Sequence, residues 1–361
     1  MLRREDYYKE GRMKSKIYAI ILITALFAGA LGVFFFAAVS IEDTISAIAG
    51  FVGSLLLMPF LHEMGHVAFA KANGMKVVYV KFFCFCFYEE KGKMKFRVVS
   101  PTGADETRVV PKFGGDMLRR ASAYVVGGMV FSGILLILLV APAVVLTCLR
   151  LPAFAFWGMI PYTAYIFLLN VIPTQYAMGK TDMLVLWEIK KGTAEGRAFL
   201  GAMEIQGRLY AGERYYQIPE ETYETYGLRE DEPLYAALWD LKYHYYLERG
   251  DLEKAADALN RLLVASEYLS NETWRKVQVE AAYMFLLQDD ASALKSLLEK
   301  DEALLRSDDY SVKRLLATYA ALCGEKERAR ALIEQAEILL EREKIIGVRE
   351  HERFLLSRID A

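Results

Sequence analysis

Four stretches of this chain are too long and too apolar to share one ordinary soluble core, and nothing else limits its fold as strongly. Ile17–Ser40 has no charged side chain, and Ile45–Ala70, Tyr124–Leu149 and Phe154–Ile172 are of similar character apart from a polar group near His62. At about 1.5 Å per residue, such runs match a hydrocarbon core roughly 30 Å thick. The expected fold is mainly α, with a polytopic helical membrane domain of about four spans. A cleaved signal peptide fits the first run poorly. The run exceeds an h-region of about 7–15 residues, and Ser40-Ile41-Glu42-Asp43 ends it without a small-residue processing site.

The mean hydropathy of +0.18 averages two different halves. Beyond about Lys190 the sequence becomes dense in Glu, Lys, Arg and Tyr, so a domain boundary is expected near Thr181–Thr193. The predicted organisation is a tail over 1–16, a membrane domain over 17–192, linker helices over 193–232 and a soluble helical domain over 233–361. A net charge of −2 provides no concentrated basic face, so nucleic acid is set aside as a partner. Of the four cysteines, Cys84 and Cys86 alternate with Phe83, Phe85 and Phe87, and they are read as strand packing rather than a redox or metal pair.

Charge asymmetry sets the expected topology. Arg3, Arg4, Lys9, Arg12, Lys14 and Lys16 precede the first run, whereas Glu42 and Asp43 follow it. The positive-inside rule then places both termini in the cytosol, and a bacterial plasma membrane is the expected location. Lys71, Lys76, Lys81, Lys91, Lys93, Lys95 and Arg97 after the second run, and Arg119 and Arg120 before the third, agree with that orientation. Between these runs, Val77–Tyr88 and Lys93–Val99 read as a β-hairpin turning at Glu89-Glu90-Lys91-Gly92. Its aromatic density suits the membrane surface, where it either packs on the membrane domain or accepts an extended peptide as an added strand.

His62-Glu63-Met64-Gly65-His66 fits HExxH, which puts two histidines one helical turn apart on one face and a glutamate beside them. Ionisable groups within an apolar span are costly unless they pair or bind something, so the motif reads as a zinc site. Catalytic zinc takes three protein ligands and keeps one position open. By the topology above, Gly179-Lys180-Thr181-Asp182 returns to the depth of His66, which makes Asp182 the candidate third ligand. Of the four histidines, His244 and His351 fall in the soluble half and read as packing or surface residues.

The chain here resembles the site-2 protease family of intramembrane zinc metalloproteases. That family carries HExxH on one transmembrane helix and Asn-x-x-Pro followed by Asp-Gly on a later segment. The matching residues are His62, Glu63, His66, Asn170, Pro173 and Asp182, with Met183 standing where the family has glycine. Gly127-Gly128 ahead of Ser132-Gly133 is similar to a small-residue segment between those motifs, with Met129 where proline is frequent; taken alone, these small residues read as a helix interface. The resemblance implies one zinc ion held by His62, His66 and Asp182, Glu63 as general base, and Asn170 with Pro173 positioning the substrate. Asn170 alone also fits an interhelical hydrogen bond.

In the soluble half, related turn signals begin at Gly250, Gln288 and Gly324, a spacing near the tetratricopeptide period of about 34 residues. An aromatic-rich helix precedes each, so Pro233–Glu343 resembles a short tetratricopeptide-like array, a form that presents a concave face to a peptide or protein partner. An unrelated helical bundle is the other fold compatible with the pattern. The expected activity is cleavage of a membrane-anchored or membrane-adjacent polypeptide. A catalytically silent membrane scaffold that binds partners through the repeats is the competing class, and a metal transporter a third. An intact Glu63 between two histidines favours the enzyme.

Overall fold

The computed structural model describes residues 40–360 apart from 91–92, 101–104, 113, 177–178, 231, 266–268, 270, 289 and 301–306, together with isolated positions 21, 25 and 29. The expected first span lies almost wholly outside the described residues. The fold is mainly helical, with a small antiparallel sheet, and it divides into two compact units whose boundary falls between Gly192 and Thr193.

Among the described residues, three helices of the first unit are long and apolar enough to cross a membrane. These are α1 (Ile41–Ala72), α2 (Met117–Cys148) and α3 (Phe154–Val171). Helix α1 starts where the Ser40 hydroxyl accepts from the Asp43 amide at 3.1 Å, with Glu42 and Asp43 favourably placed in the first turn. Helix α2 is capped in the same way by Asp116, which accepts from the Arg119 amide at 3.0 Å. Arg119 and Arg120 therefore lie inside its first turn rather than ahead of it.

Each of the two longer helices changes character along its length. In α1 the large residues from Ile41 to Leu57 are mostly exposed, whereas Met58, Pro59, His62, Glu63, Gly65 and His66 are buried. Helix α2 runs the other way, with Ala121, Val125, Gly127, Gly128, Met129 and Ser132 buried ahead of exposed Ile134, Ile137, Leu138 and Val145. An exposed apolar band of this extent is costly in water and costs nothing against acyl chains. The two buried halves meet at Gly65 and Gly127, where a Cβ on either glycine would strike the carbonyl of the other. Only glycine permits this approach, which brings the polar part of α1 against α2.

The connection between α1 and α2 folds as four strands, β1 (Met75–Phe82), β2 (Phe85–Glu90), β3 (Lys93–Val98) and β4 (Glu106–Pro111), in the order β3-β2-β1-β4. The expected hairpin is thus one part of a larger sheet. Its first arm breaks in two at Phe83, which takes a positive φ of 51° while its amide donates to Asp105 Oδ1 at 2.7 Å. The unbroken run Phe82-Phe83-Cys84-Phe85 hid that turn, since aromatic residues rarely adopt such a backbone. Cys86 is buried in β2 and Cys84 lies in the turn; both are free thiols.

After α3 the chain forms the two-residue strands β5 (Gln175–Tyr176) and β6 (Gly179–Lys180) and then α4 (Asp182–Lys191). The second unit comprises α5 (Ala194–Ala211), two 3₁₀ turns at Tyr215–Gln217 and Glu220–Tyr223, and helices α6 (Pro233–Arg249), α7 (Leu252–Val264), α8 (Asn271–Leu286), α9 (Ser292–Lys300), α10 (Tyr310–Leu322), α11 (Lys326–Leu340) and α12 (Ile346–Leu356). The three turn signals read from the sequence separate α6 from α7, α8 from α9 and α10 from α11. Gly250 and Gly324 take positive φ there. Residues 193–232, expected as a linker, instead supply Ile205, Leu209, Tyr215, Ile218 and Tyr223 to this unit's main buried cluster. Their tyrosines gave them a polar look in the sequence, but tyrosine buries its ring readily when its hydroxyl finds a partner. Tyr223 donates to the Tyr215 carbonyl at 2.8 Å.

Candidate metal centre

His62 and His66 occupy consecutive turns of α1 on the face covered by α2, and their Nε2 atoms lie 3.3 Å apart. Asp182 opens α4 and reaches the same point, with Oδ2 at 3.3 Å from His62 Nε2 and 3.4 Å from His66 Nε2. Local chemistry explains its placement. Pro173 follows the end of α3, and Thr181 then ties the intervening loop shut, donating to the Ile172 carbonyl at 2.9 Å and accepting from the Thr174 amide at 3.1 Å. Thr181 also caps α4 by accepting from the Leu184 amide, so Asp182 follows as the first helical residue.

The three atoms form a nearly equilateral triangle. Tetrahedral zinc with bonds of about 2.0–2.1 Å separates neighbouring ligand atoms by about 3.3–3.4 Å, which matches the observed edges. Proton counting agrees. His66 Nδ1 lies 2.9 Å from the Tyr124 carbonyl, an acceptor only, so neutral His66 keeps its proton there and turns the Nε2 lone pair to the centre. Asp182 Oδ2 is buried without a hydrogen-bond donor of its own. No lysine or arginine pairs with it among the described residues. Converging lone pairs on buried atoms are the condition that a bound cation relieves.

Glu63 lies in the same cluster, with ligand-type atoms of His62, Glu63 and His66 within 4.8 Å of one another. It is engaged differently from Asp182. The Thr107 hydroxyl donates to Glu63 Oε2 at 2.5 Å, while Oε1 has no protein donor among the described residues. Thr107 is in turn held by the Tyr124 hydroxyl, which donates to its carbonyl. Asp182 therefore fits the role of third ligand, and Glu63 is left with one free carboxylate oxygen beside the triangle.

Two further features complete the surroundings. Ser132 Oγ lies 3.0 Å from His62 Nδ1. Gly128 faces both rings, and a Cβ there would come to 2.7 Å from His62 Nε2 and closer still to His66 Nε2. The glycine thus leaves open the space beside both ligand nitrogens.

Four of the six expected site residues, His62, Glu63, His66 and Asp182, come together here. Asn170 donates from Nδ2 to the Ile166 carbonyl of its own helix at 3.1 Å, and Pro173 is exposed; neither contributes a hydrogen bond or ion pair to the cluster. Sequence reasoning did not identify Thr107, Tyr124, Ser132 or Gly128 as site residues. Gly128 and Ser132 carried a signal as small residues four apart on one helix, but as an interface. Thr107 lies on a strand that the pattern did not reveal, and Tyr124 contributes a main-chain carbonyl that any residue has. No family model, curated protein or solved structure matches the chain.

Proposed function

We propose that this protein is an intramembrane zinc metalloendopeptidase of the site-2 protease kind, cleaving a membrane-anchored or membrane-adjacent polypeptide. The observation that carries the proposal is the triangle of His62 Nε2, His66 Nε2 and Asp182 Oδ2 with 3.3–3.4 Å edges, set beside Glu63 in the buried half of an apolar helix. One zinc ion held by these three residues would supply Lewis acidity, lowering the pKa of a water and polarising a scissile carbonyl.

The chain's own residues supply the rest. Thr107 occupies Glu63 Oε2, so Oε1 is the oxygen available to take a proton from the attacking water and pass it to the leaving amine. The Tyr124 carbonyl commits the His66 proton to Nδ1, away from the ligand position. Burial of His62, Glu63 and His66 keeps bulk water from competing for these bonds. Asn170 and Pro173, at the end of α3, are assigned to positioning the substrate segment, which must leave helical form to expose a carbonyl.

The full topology adds a fourth span ahead of α1 and places both termini in the cytosol, in a bacterial plasma membrane. Helices α6–α11 form a tetratricopeptide-like array that recruits a protein or peptide partner. Replacing Glu63 by Gln tests the assignment, since it keeps shape and hydrogen bonding but removes the base. Zinc should remain at one per chain by atomic absorption, while turnover falls by about 10²–10⁴-fold and the variant retains uncut membrane-anchored polypeptides on affinity capture. If Glu63→Gln and the unmodified protein captured the same uncut partners, and no cleavage product depended on Glu63, the protein would be a membrane scaffold instead.

A further inference from the structure

The two histidines are anchored by chemically different partners. His66 Nδ1 faces the Tyr124 carbonyl, which can only accept, so the tautomer of that ring is fixed by its neighbour. His62 Nδ1 faces the Ser132 hydroxyl at 3.0 Å, and a hydroxyl can donate or accept. The protonation pattern of His62 is therefore set by which way one buried hydroxyl turns.

Both settings make sense of the geometry. When Ser132 donates to Nδ1, the His62 proton is on Nε2, 3.3 Å from Asp182 Oδ2 and able to bridge to it. When Ser132 accepts from Nδ1–H, the Nε2 lone pair joins those of His66 and Asp182, and the triangle presents three donors to a cation. A helical serine can then give its own proton to the carbonyl one turn back. Ser132 is almost fully buried, so water is not at hand to replace it.

We infer that Ser132 is a positioning residue for the metal: by accepting from His62 Nδ1–H it holds the ring with its Nε2 lone pair toward His66 Nε2 and Asp182 Oδ2. This rests on the assignment of a zinc site to His62, His66 and Asp182. It assigns to Ser132 a role in metal affinity distinct from packing in the α1–α2 interface.

The test is Zn²⁺ affinity of the full-length chain in detergent, measured by competition with a chromophoric chelator. Partners that orient ligating histidines are typically worth about 10–100-fold in metal affinity, so Ser132→Ala should bind Zn²⁺ that much more weakly, while Ser132→Thr restores the hydroxyl and most of the affinity. The effect must act through His62. On a His62→Ala background, Ser132→Ala should cost less than about threefold more, whereas a packing role would persist there. Should Ser132→Ala not be recovered folded, Ser132→Val, which matches the shape of Ser132→Thr without a hydroxyl, carries the same expectation when compared with Ser132→Thr.

The outcomes separate the two claims. An unmodified protein that binds no Zn²⁺ above background removes the zinc assignment itself. An unmodified protein that binds Zn²⁺, with Ser132→Ala binding as tightly or losing equally on the His62→Ala background, overturns only the role given to Ser132.

Discussion

Each unit of this protein buries a pair of histidines among carboxylates, yet the two groups are built on opposite principles. In the second unit, His244 Nδ1 lies 3.1 Å from His351 Nε2, and His351 Nδ1 is 3.6 Å from Glu248 Oε2. Close by, fully buried Arg314 pairs with Glu280 at 2.6 Å and with Glu352 at 3.4 Å, and lies over the Tyr283 ring at 4.2 Å. Glu280 has a use for its other oxygen, accepting from the Tyr243 hydroxyl at 2.8 Å. A fixed guanidinium supplies the positive charge that these buried carboxylates need.

In the first unit no lysine or arginine pairs with Asp182 among the described residues, and its partners are His62 and His66. The three candidate ligand atoms of that cluster lie within 3.3–3.4 Å of one another, and the network around Arg314 shares with it buried atoms that lack a hydrogen-bond partner, Asp182 Oδ2 in one and His351 Nδ1 and Glu248 Oε1 in the other. Burial of polar groups is therefore a poor guide to function in this chain, whereas the balance of protons and charges separates the two groups. One group holds a guanidinium within the fold, and the other is the candidate metal centre.

The largest expected contrast is in metal content. On the proposed assignment Asp182→Ala removes a direct ligand rather than its support and should weaken zinc binding by on the order of 10²-fold or more, whereas His351→Ala should leave one zinc per chain. Atomic absorption on both variants checks this, and zinc lost on altering His351 would break the contrast. The reverse holds for stability. Arg314→Met strands Glu280 and Glu352 in the core and should destabilise the second unit by about 3–5 kcal/mol, read as loss of hydrogen-exchange protection in α8, α10 and α12 with zinc stoichiometry unchanged.

A smaller effect concerns pH. Burial pushes His244 down to about 4 and His351 down to about 3, the latter helped by Arg314. Both folded values lie below the ordinary histidine value near 6.5, so the unfolded chain binds more protons between them, and this stabilising contribution is lost as pH falls. Glu352 works in the opposite direction, since burial raises it to about 7 and its contribution is lost as pH rises from about 4.5 to 7. Below about 4.5 Glu352 is protonated in both states and no longer opposes the histidines, although the Asp240 carboxyl beside His244, raised by burial, offsets part of their effect. Protection factors of α6 and α12, corrected for intrinsic exchange, should therefore fall between about pH 4.5 and 3. A flat profile there would mean that the two rings are already charged in the fold.

The sequence by itself determined what depends on near neighbours along the chain. Helix periodicity alone places His62, Glu63 and His66 together, because residues four apart share a face whatever surrounds them. The apolar runs announced α1 and α3 to within four residues and α2 to within seven, its helix starting at Met117 ahead of the apolar run at Tyr124, for membrane-length helices need no long-range partner to form. The turns at Gly250 and Gly324 were legible for a similar reason, since a positive φ favours glycine locally.

Only the tertiary structure decided what that motif meets. Ser132 lies 70 residues from His62 and Thr107 lies 44 from Glu63, and their contacts depend on a sheet broken at Phe83 and a helix crossing set by Gly65 and Gly127. The Tyr124 carbonyl, 58 residues from His66, has no signature in sequence because every residue carries that group. Likewise, whether a buried histidine faces lone pairs or a guanidinium is fixed by packing. That choice made His62 and His66 a candidate metal centre and left His244 and His351 part of a core.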